Sequence, residues 1–211
     1  MHPIKDLLTL YFVMGSPNCK ENPRHVLREA IEGGITLFQY REKGIDCLAD
    51  RDKVELAKDL QGICREFNVP FIVNDDVDLA IELDADGVHI GQEDISIEDV
   101  RKRIGNKIIG VSAHSIEEAL IAIDKGADYL GVGPMYATAT KLDARKVQGP
   151  QLIRKMREAS ITIPIVGIGG ITQSTVTEVI NNGADGVAII SAISQSNFPK
   201  IATQDIMLKI K

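Results

Sequence analysis

In the stretch LFQYREKG, residues 37–44, Gln39, Arg41 and Lys43 occupy alternate positions. The residues leading into them, ITLFQY, read as a strand, and residues two apart on a strand project from the same face. The two cations would then stand about 7 Å apart on one side. Like charges placed so close mark either a solvated strand end or the seat of a strongly anionic ligand. Further polar groups stand, like these, just after apolar runs. Asn74, Asp75 and Asp76 follow FIV, Glu93 and Asp94 follow HIGQ, and Ser112 and His114 close IIGVSAH. Gly169 and Gly170 end VGIGG, and the segment GPMYATATKLDARKVQGP, residues 133–150, carries Thr138, Thr140 and Lys141.

Each group suits a definite chemistry. Glycines let backbone N–H groups approach an oxyanion closely, and the following helix would turn its positive end toward it; the alternative is a plain tight turn. G-x-G-G lacks the spacing of a dinucleotide fingerprint, and no G-K-S/T makes it a P-loop. Asp75, Asp76, Glu93 and Asp94 are hard carboxylates of the kind that hold magnesium together with substrate phosphate. Asp76 and Asp94 also precede helical patterns, where acids cap, so both readings stand. With no Cys or His cluster beside them, zinc is disfavoured. The long 133–150 loop reads as a functional lid or as mobile surface, with Arg145 and Lys146 solvated. His89 faces either the helices or the barrel, and it and His114 read as structural. No G-x-S-x-G elbow or Ser/His/Asp order supports acyl hydrolysis. Arg41, Lys43, Lys141, the paired carboxylates and the glycine turn together fit a diphosphate beside a separate monophosphate.

The elements that must position these groups alternate along the whole chain. Strands are expected at 9–14, 35–40, 70–74, 86–91, 107–113, 128–133, 163–169 and 185–191, with amphipathic helical patterns between them. In SIEEALIAIDKG (115–126), Ile116, Ala119, Leu120 and Ile123 form the apolar stripe, and Ser115 with Glu118 forms a capping box. LDADGVHI, KGADYLGV and NGADGVAI echo one another at three helix-to-strand turns. Eight such units predict a single-domain α/β fold, a (β/α)8 TIM barrel over residues 1–211, in preference to an open doubly wound sheet. In such a barrel the candidate groups fall at the C-terminal ends of strands, the rim that carries active sites.

Bulk composition narrows the function further. A chain 44% apolar and 26% charged can bury one large core, while a net charge of −6 argues against a nucleic-acid partner. Cys19, Cys47 and Cys64 are an odd set without C-x-x-C spacing, which points to a reducing compartment. LLTLYFVMG reads as a first core strand and not as a signal peptide, and no run reaches membrane-span length. A cytoplasmic protein without a membrane partner is expected.

QYREK, VNDD, HIGQED, GVSAH, GPMYATATK, VQG, IPIVGIGGI and GADGVAIISAI stand in this order along the chain. In these segments the sequence resembles the thiamine phosphate synthase family. The resemblance implies joining of 4-amino-2-methyl-5-hydroxymethylpyrimidine diphosphate to a thiazole phosphate, with departure of diphosphate in a dissociative step. It implies pyrimidine diphosphate binding by Gln39, Tyr40, Arg41, Glu42, Lys43, Asn74, Ser112 and Lys141. Among these, Arg41, Lys43, Ser112 and Lys141 would act in catalysis. It implies a thiazole phosphate on Thr138, Ala139, Thr140, Gly170, Ile190 and Ser191, and one Mg2+ held by Asp75 and Asp94. The first strand ends in MGS where many members carry an acid after a hydroxyl residue, which leaves the role of Met14, Gly15 and Ser16 open. A homo-oligomer is compatible with these features. Two rivals share the barrel: a thiazole tautomerase-like paralogue, whose pattern places a histidine where this chain has Pro134, and a non-catalytic binder of phosphate ligands.

Overall fold

The computed structural model describes residues 4–138 and 146–210. Among them, eight parallel strands close into a barrel in sequence order. They are β1 (Leu10–Met14), β2 (Leu37–Tyr40), β3 (Phe71–Asn74), β4 (Gly87–Ile90), β5 (Ile108–Ala113), β6 (Tyr129–Val132), β7 (Ile165–Ile168) and β8 (Gly186–Ile189). Pairing of Leu10, Tyr11 and Phe12 with Val187, Ala188 and Ile189 joins first strand to last. That closure separates a barrel from an open sheet. The helices are α1 (Ile4–Leu7), α2 (Pro23–Gly33), α3 (Asp50–Glu66), α4 (Val77–Glu82) and α5 (Ile97–Ile104). They continue as α6 (Ile116–Asp124), α7 (Gln151–Glu158), α8 (Val176–Asn181), α9 (Ser191–Ser194) and α10 (Pro199–Ile210).

Strand alternation sorts the apolar residues into two cores. Tyr11, Val13, Leu37, Ile72, Tyr129, Val166 and Ala188 fill the barrel interior. Leu10, Phe12, Met14, Phe38, Tyr40, Phe71 and Val73 face the helices in the larger outer layer. Strands covered on both sides read as near-continuous apolar runs, and burial is unbroken along β1, β2, β4, β6 and β8.

The three echoed helix-to-strand turns share one physical device. Asp86, Asp128 and Asp185 each accept an N–H from the start of the preceding strand, from Phe71, Ile109 and Ile165, at 2.7, 2.8 and 2.8 Å. Gly126 and Gly183 turn the chain at φ 93° and 99°, and Asp84 takes the same left-handed conformation at φ 49°. Arg101 and Arg157 bind Asp128 and Asp185 at 2.7 and 2.6 Å. The rim opposite the candidate chemistry is thus the stapled, structural end.

Two local expectations change. In α6 the buried residues are Ala119 and Ala122, while Leu120 is 51% exposed; the helix turns its small side chains to the barrel, so that it approaches closely. Ser115 caps the Glu118 N–H at 3.1 Å, but the Glu118 carboxylate reaches past it to the His114 N–H at 2.7 Å. The capping box is therefore half formed.

Candidate functional site

At the C-terminal rim the chain encloses a cavity of about 250 Å³. Arg41 and Lys43 line one side, and Gly169, Gly170, Ile190 and Ser191 line the other. Arg41 is only 4% exposed and lines this cavity, a cation inside the barrel mouth rather than on the helical layer. Its backbone N–H still pairs with Met14 O at 2.9 Å, so β1 carries the β2 tip to this place. Gly15 permits the approach: a Cβ there would lie 2.1 Å from the Arg41 carbonyl oxygen. The Ser16 N–H and hydroxyl then donate to the Glu42 carboxylate at 2.8 and 2.5 Å, and the Leu48 N–H adds 2.8 Å. The MGS tip, whose role the sequence left open, braces the cation-bearing segment from behind.

Parity explains which of the expected residues gather. Gln39, Arg41 and Lys43 share the inward side, with Gln39 one layer deeper than the cavity wall. Tyr40 and Glu42 have the other parity and are not brought to the cavity. The Tyr40 ring stacks on Phe71 and its hydroxyl donates to Lys53 O at 3.0 Å, while Glu42 is occupied as the brace. The side chains of both are structural.

The carboxylates separate equally clearly. Asp76 is the N-cap of α4, accepting from the Leu79 N–H at 3.0 Å and from Lys53 Nζ at 2.6 Å. Asp75 holds φ at 61°, a conformation Asp tolerates better than most residues, and lines the cavity with Asn74, Glu93 and Asp94. Asp94 caps no helix, because Ser96 caps α5. Burial pushes the Asp94 carboxyl above its ordinary range; the Gly91 N–H opposes that, and the adjacent Asp75 carboxylate adds to it. Lys43 Nζ sits 3.0 Å from Asp75 Oδ2. The two apposed carboxylates offer oxygen donors of the kind a hard divalent cation takes together with substrate phosphate, while Lys43, a cation itself, contributes charge toward an anion and no ligand to a metal.

The glycine turn is narrower than the sequence implied. A Cβ on Gly170, at φ 65°, would lie 2.6 Å from Ala137 O, and one on Gly169 would lie 2.8 Å from the Pro134 ring. The Met135 and Tyr136 N–H groups bind Ile168 O and Gly169 O at 2.9 Å each, so the segment after β6 lies across this turn. Helix α8 starts only at Val176, after a turn in which the Thr172 N–H binds Thr175 Oγ1 at 2.9 Å. Its positive end is therefore displaced from the glycines. Helix α9, starting at Ser191, is the one that opens at the cavity. Thr138 also lines it, whereas Ala139, Thr140, Lys141 and Arg145 lie outside the described residues.

Beneath the cavity runs a polar interior that sequence reasoning missed. The Gln39 Nε2 meets Tyr11 OH at 2.6 Å, Tyr11 OH meets Tyr129 OH at 2.8 Å, and Tyr129 OH meets His89 Nδ1 at 3.0 Å. His89 Nε2 reaches Ser112 Oγ at 3.0 Å. Both Ser112 and His89 line the cavity, so His89 faces the barrel. Tyr11 and Tyr129 sit at inward parity in apolar strands, and only that parity could have marked them. His114 also lines the cavity, with its Nδ1 3.0 Å from the Glu118 carboxylate.

Residues 10–193 match the family model described as thiamine monophosphate synthase. A thiamine-phosphate synthase from Bacillus cereus (strain B4264) is 57% identical over 205 residues, covering 97% of this chain and 94% of that protein. One from Geobacillus kaustophilus (strain HTA426) is 56% identical over 199 residues, covering 94% and 90%. Among solved structures, a thiamine phosphate pyrophosphorylase from Pyrococcus furiosus superposes with a TM-score of 0.88 at 40% identity, covering 98% and 97% of the two chains.

Proposed function

The chain belongs to the thiamine monophosphate synthase family and is a transferase that makes thiamine phosphate, and on that premise we propose how its cavity divides the work. The pyrimidine diphosphate lies against Arg41, Lys43, Asn74 and Ser112, and the thiazole phosphate lies against Thr138, Gly170, Ile190 and Ser191. By the resemblance, Lys141 joins the first group, and Ala139 and Thr140 the second. The observation that carries the reading is the confluence in one cavity of two cations, two apposed carboxylates and a positive-φ glycine turn on the opposite wall.

In this reading the C–O bond between the pyrimidine methylene and diphosphate breaks, and a C–N bond to the thiazole nitrogen forms. The electron pair of the broken bond leaves on diphosphate, so the protein's task is to stabilise negative charge on a departing oxyanion. Arg41 brings a buried guanidinium with a fork geometry suited to phosphate oxygens. Lys43 brings a point charge that its contact with Asp75 keeps oriented. Mg2+, held by Asp75 and Asp94, supplies further neutralisation of the diphosphate charge when bound. The thiazole nitrogen already has a free lone pair, so no protein nucleophile is needed. Gln39, with its Nε2 committed to Tyr11, has its carbonyl oxygen left to face the pyrimidine amino group.

The protein is proposed to act as one catalytic unit over residues 1–211, on small molecules, in the cytoplasm. The described cysteines Cys19, Cys47 and Cys64 are all free, and no helix of the described residues is long and apolar enough to cross a membrane. The test is to mix both substrates with Mg2+ and measure thiamine phosphate by chromatography. Product is expected with Mg2+ and its loss is expected with chelator; folded protein that yields no product refutes the assignment.

A further inference from the structure

We propose that the buried chain Gln39–Tyr11–Tyr129–His89–Ser112 holds His89 as its Nε2–H tautomer, leaving the Ser112 hydroxyl to donate into the cavity, so that Tyr11, Tyr129 and His89 are positioning residues for the transfer. The catalytic half of this inference rests on the reading that Ser112 meets the pyrimidine diphosphate.

Proton counting along the chain sets its direction. The Gln39 Nε2 can only donate, and it meets Tyr11 OH at 2.6 Å. Tyr11 accepts that proton and has one of its own, which goes to the Tyr129 oxygen 2.8 Å away. Tyr129, accepting from Tyr11, gives its single proton to His89 Nδ1 at 3.0 Å. An accepting Nδ1 leaves the ring proton on Nε2, which donates to Ser112 Oγ at 3.0 Å. The serine proton is then free of the chain. Burial raises both phenols well above their ordinary range, so each keeps its one proton. Were the chain to run the other way, the serine would spend its proton on His89 and face an anion with lone pairs.

The strands have been hollowed to admit this chain. A Cβ on Gly110 would stand 2.1 Å from Tyr129 Cζ and 2.5 Å from His89 Nδ1, and one on Gly131 would stand 2.9 Å from His89 Cε1. The inward positions next to the Tyr129–His89 link thus carry no side chain. Gln92 Nε2 donates to Ser112 O at 2.6 Å, pinning the serine backbone as well. A hydroxyl with a preset donor direction needs no reorganisation when charge appears on a leaving diphosphate, the condition under which such groups act best.

Ligand-free protein labelled with 15N-histidine tests the tautomer directly by long-range proton–nitrogen correlation, with His89 assigned through the signals lost in His89→Asn. The expected spectrum shows Nδ1 unprotonated and Nε2 protonated, and Tyr129→Phe should release His89 into a mixture of tautomers. In turnover, Ser112→Ala should cost about tenfold or more. Tyr129→Phe should cost less alone and nothing further in the Ser112→Ala background, because it acts through the serine. A wild-type His89 carrying its proton on Nδ1 overturns the proposal without any variant having to fold, and so do losses that multiply in the double variant. Unchanged turnover in Ser112→Ala sinks the reading that the serine meets substrate, while the tautomer spectrum judges the chain independently.

Discussion

Asp94→Asn should make the metal-free protein more stable and the metal-loaded protein less so. In the structure Asp94 is partly buried against Asp75, and its carboxyl is held up first by burial and then, against the Gly91 N–H, by that neighbour's charge. Two unit charges 4 Å apart repel by about 1 kcal/mol in water and about 4 kcal/mol at an effective dielectric of 20. Asp75 keeps 26% of its side-chain surface and is partly neutralised by Lys43 at 3.0 Å, so the lower end applies, about 1 kcal/mol. The asparagine oxygen can still accept from the Gly91 N–H, now 2.6 Å from Asp94. For a chain of 211 residues, that gain is a rise in melting temperature of about 2–4 °C in chelator. Saturation by Mg2+ at a hundred times its dissociation constant stabilises the parent by about 2.7 kcal/mol, a response the variant should largely lose. Thermal denaturation of both proteins in EDTA and in Mg2+ reads out the crossing. A variant less stable than the parent in EDTA, or equally responsive to Mg2+, refutes the reasoning.

Three further outcomes follow from named contacts. Arg41→Ala should lower turnover by about 10²–10³, whereas Arg24→Ala, which removes only a surface pair with Asp59, should leave it unchanged; equal losses in steady-state assays would mean the site is misplaced. Gly170→Ala forces an alanine to φ 65° with its Cβ 2.6 Å from Ala137 O, so it should cost about 2–4 kcal/mol in chemical denaturation and raise the KM for thiazole phosphate. Burial raises the Asp76 carboxyl, but Lys53 and the Leu79 N–H outweigh it and hold the folded value below the ordinary one. Its stabilisation is therefore present above the unfolded pKa and lost as pH falls through the folded one. Asp76→Asn should leave the cap in place, cost less than about 1 kcal/mol at neutral pH, and flatten the acid limb of a stability-versus-pH curve.

Much of this was legible along the chain because the relevant physics is local. Alternation of strand and helix, the Ala-Asp turns and the bunching of polar groups after apolar runs all depend on residues within a few positions of one another. They were enough to expect a barrel and to place Arg41, Lys43, Asn74, Asp75, Asp94, Ser112 and Gly170 on one rim, where the structure brings them into one cavity. The α6 stripe was misjudged at Leu120 because a helix period leaves its rotation undecided; the closeness of the barrel wall selected the alanine side. Tyr40 and Glu42 travelled with their neighbours in a contiguous motif, although strand parity sends their side chains the other way.

What the sequence determined by itself is which chemical groups reach the rim, since strand period and turn chemistry are short-range properties. What only the tertiary structure decided is which of those groups touch. Lys43 meets Asp75 across 32 positions, Tyr11 meets Tyr129 across 118, and His89 meets Ser112 across 23. Those contacts depend on barrel closure and on the register between strands, which bring distant residues within hydrogen-bonding distance.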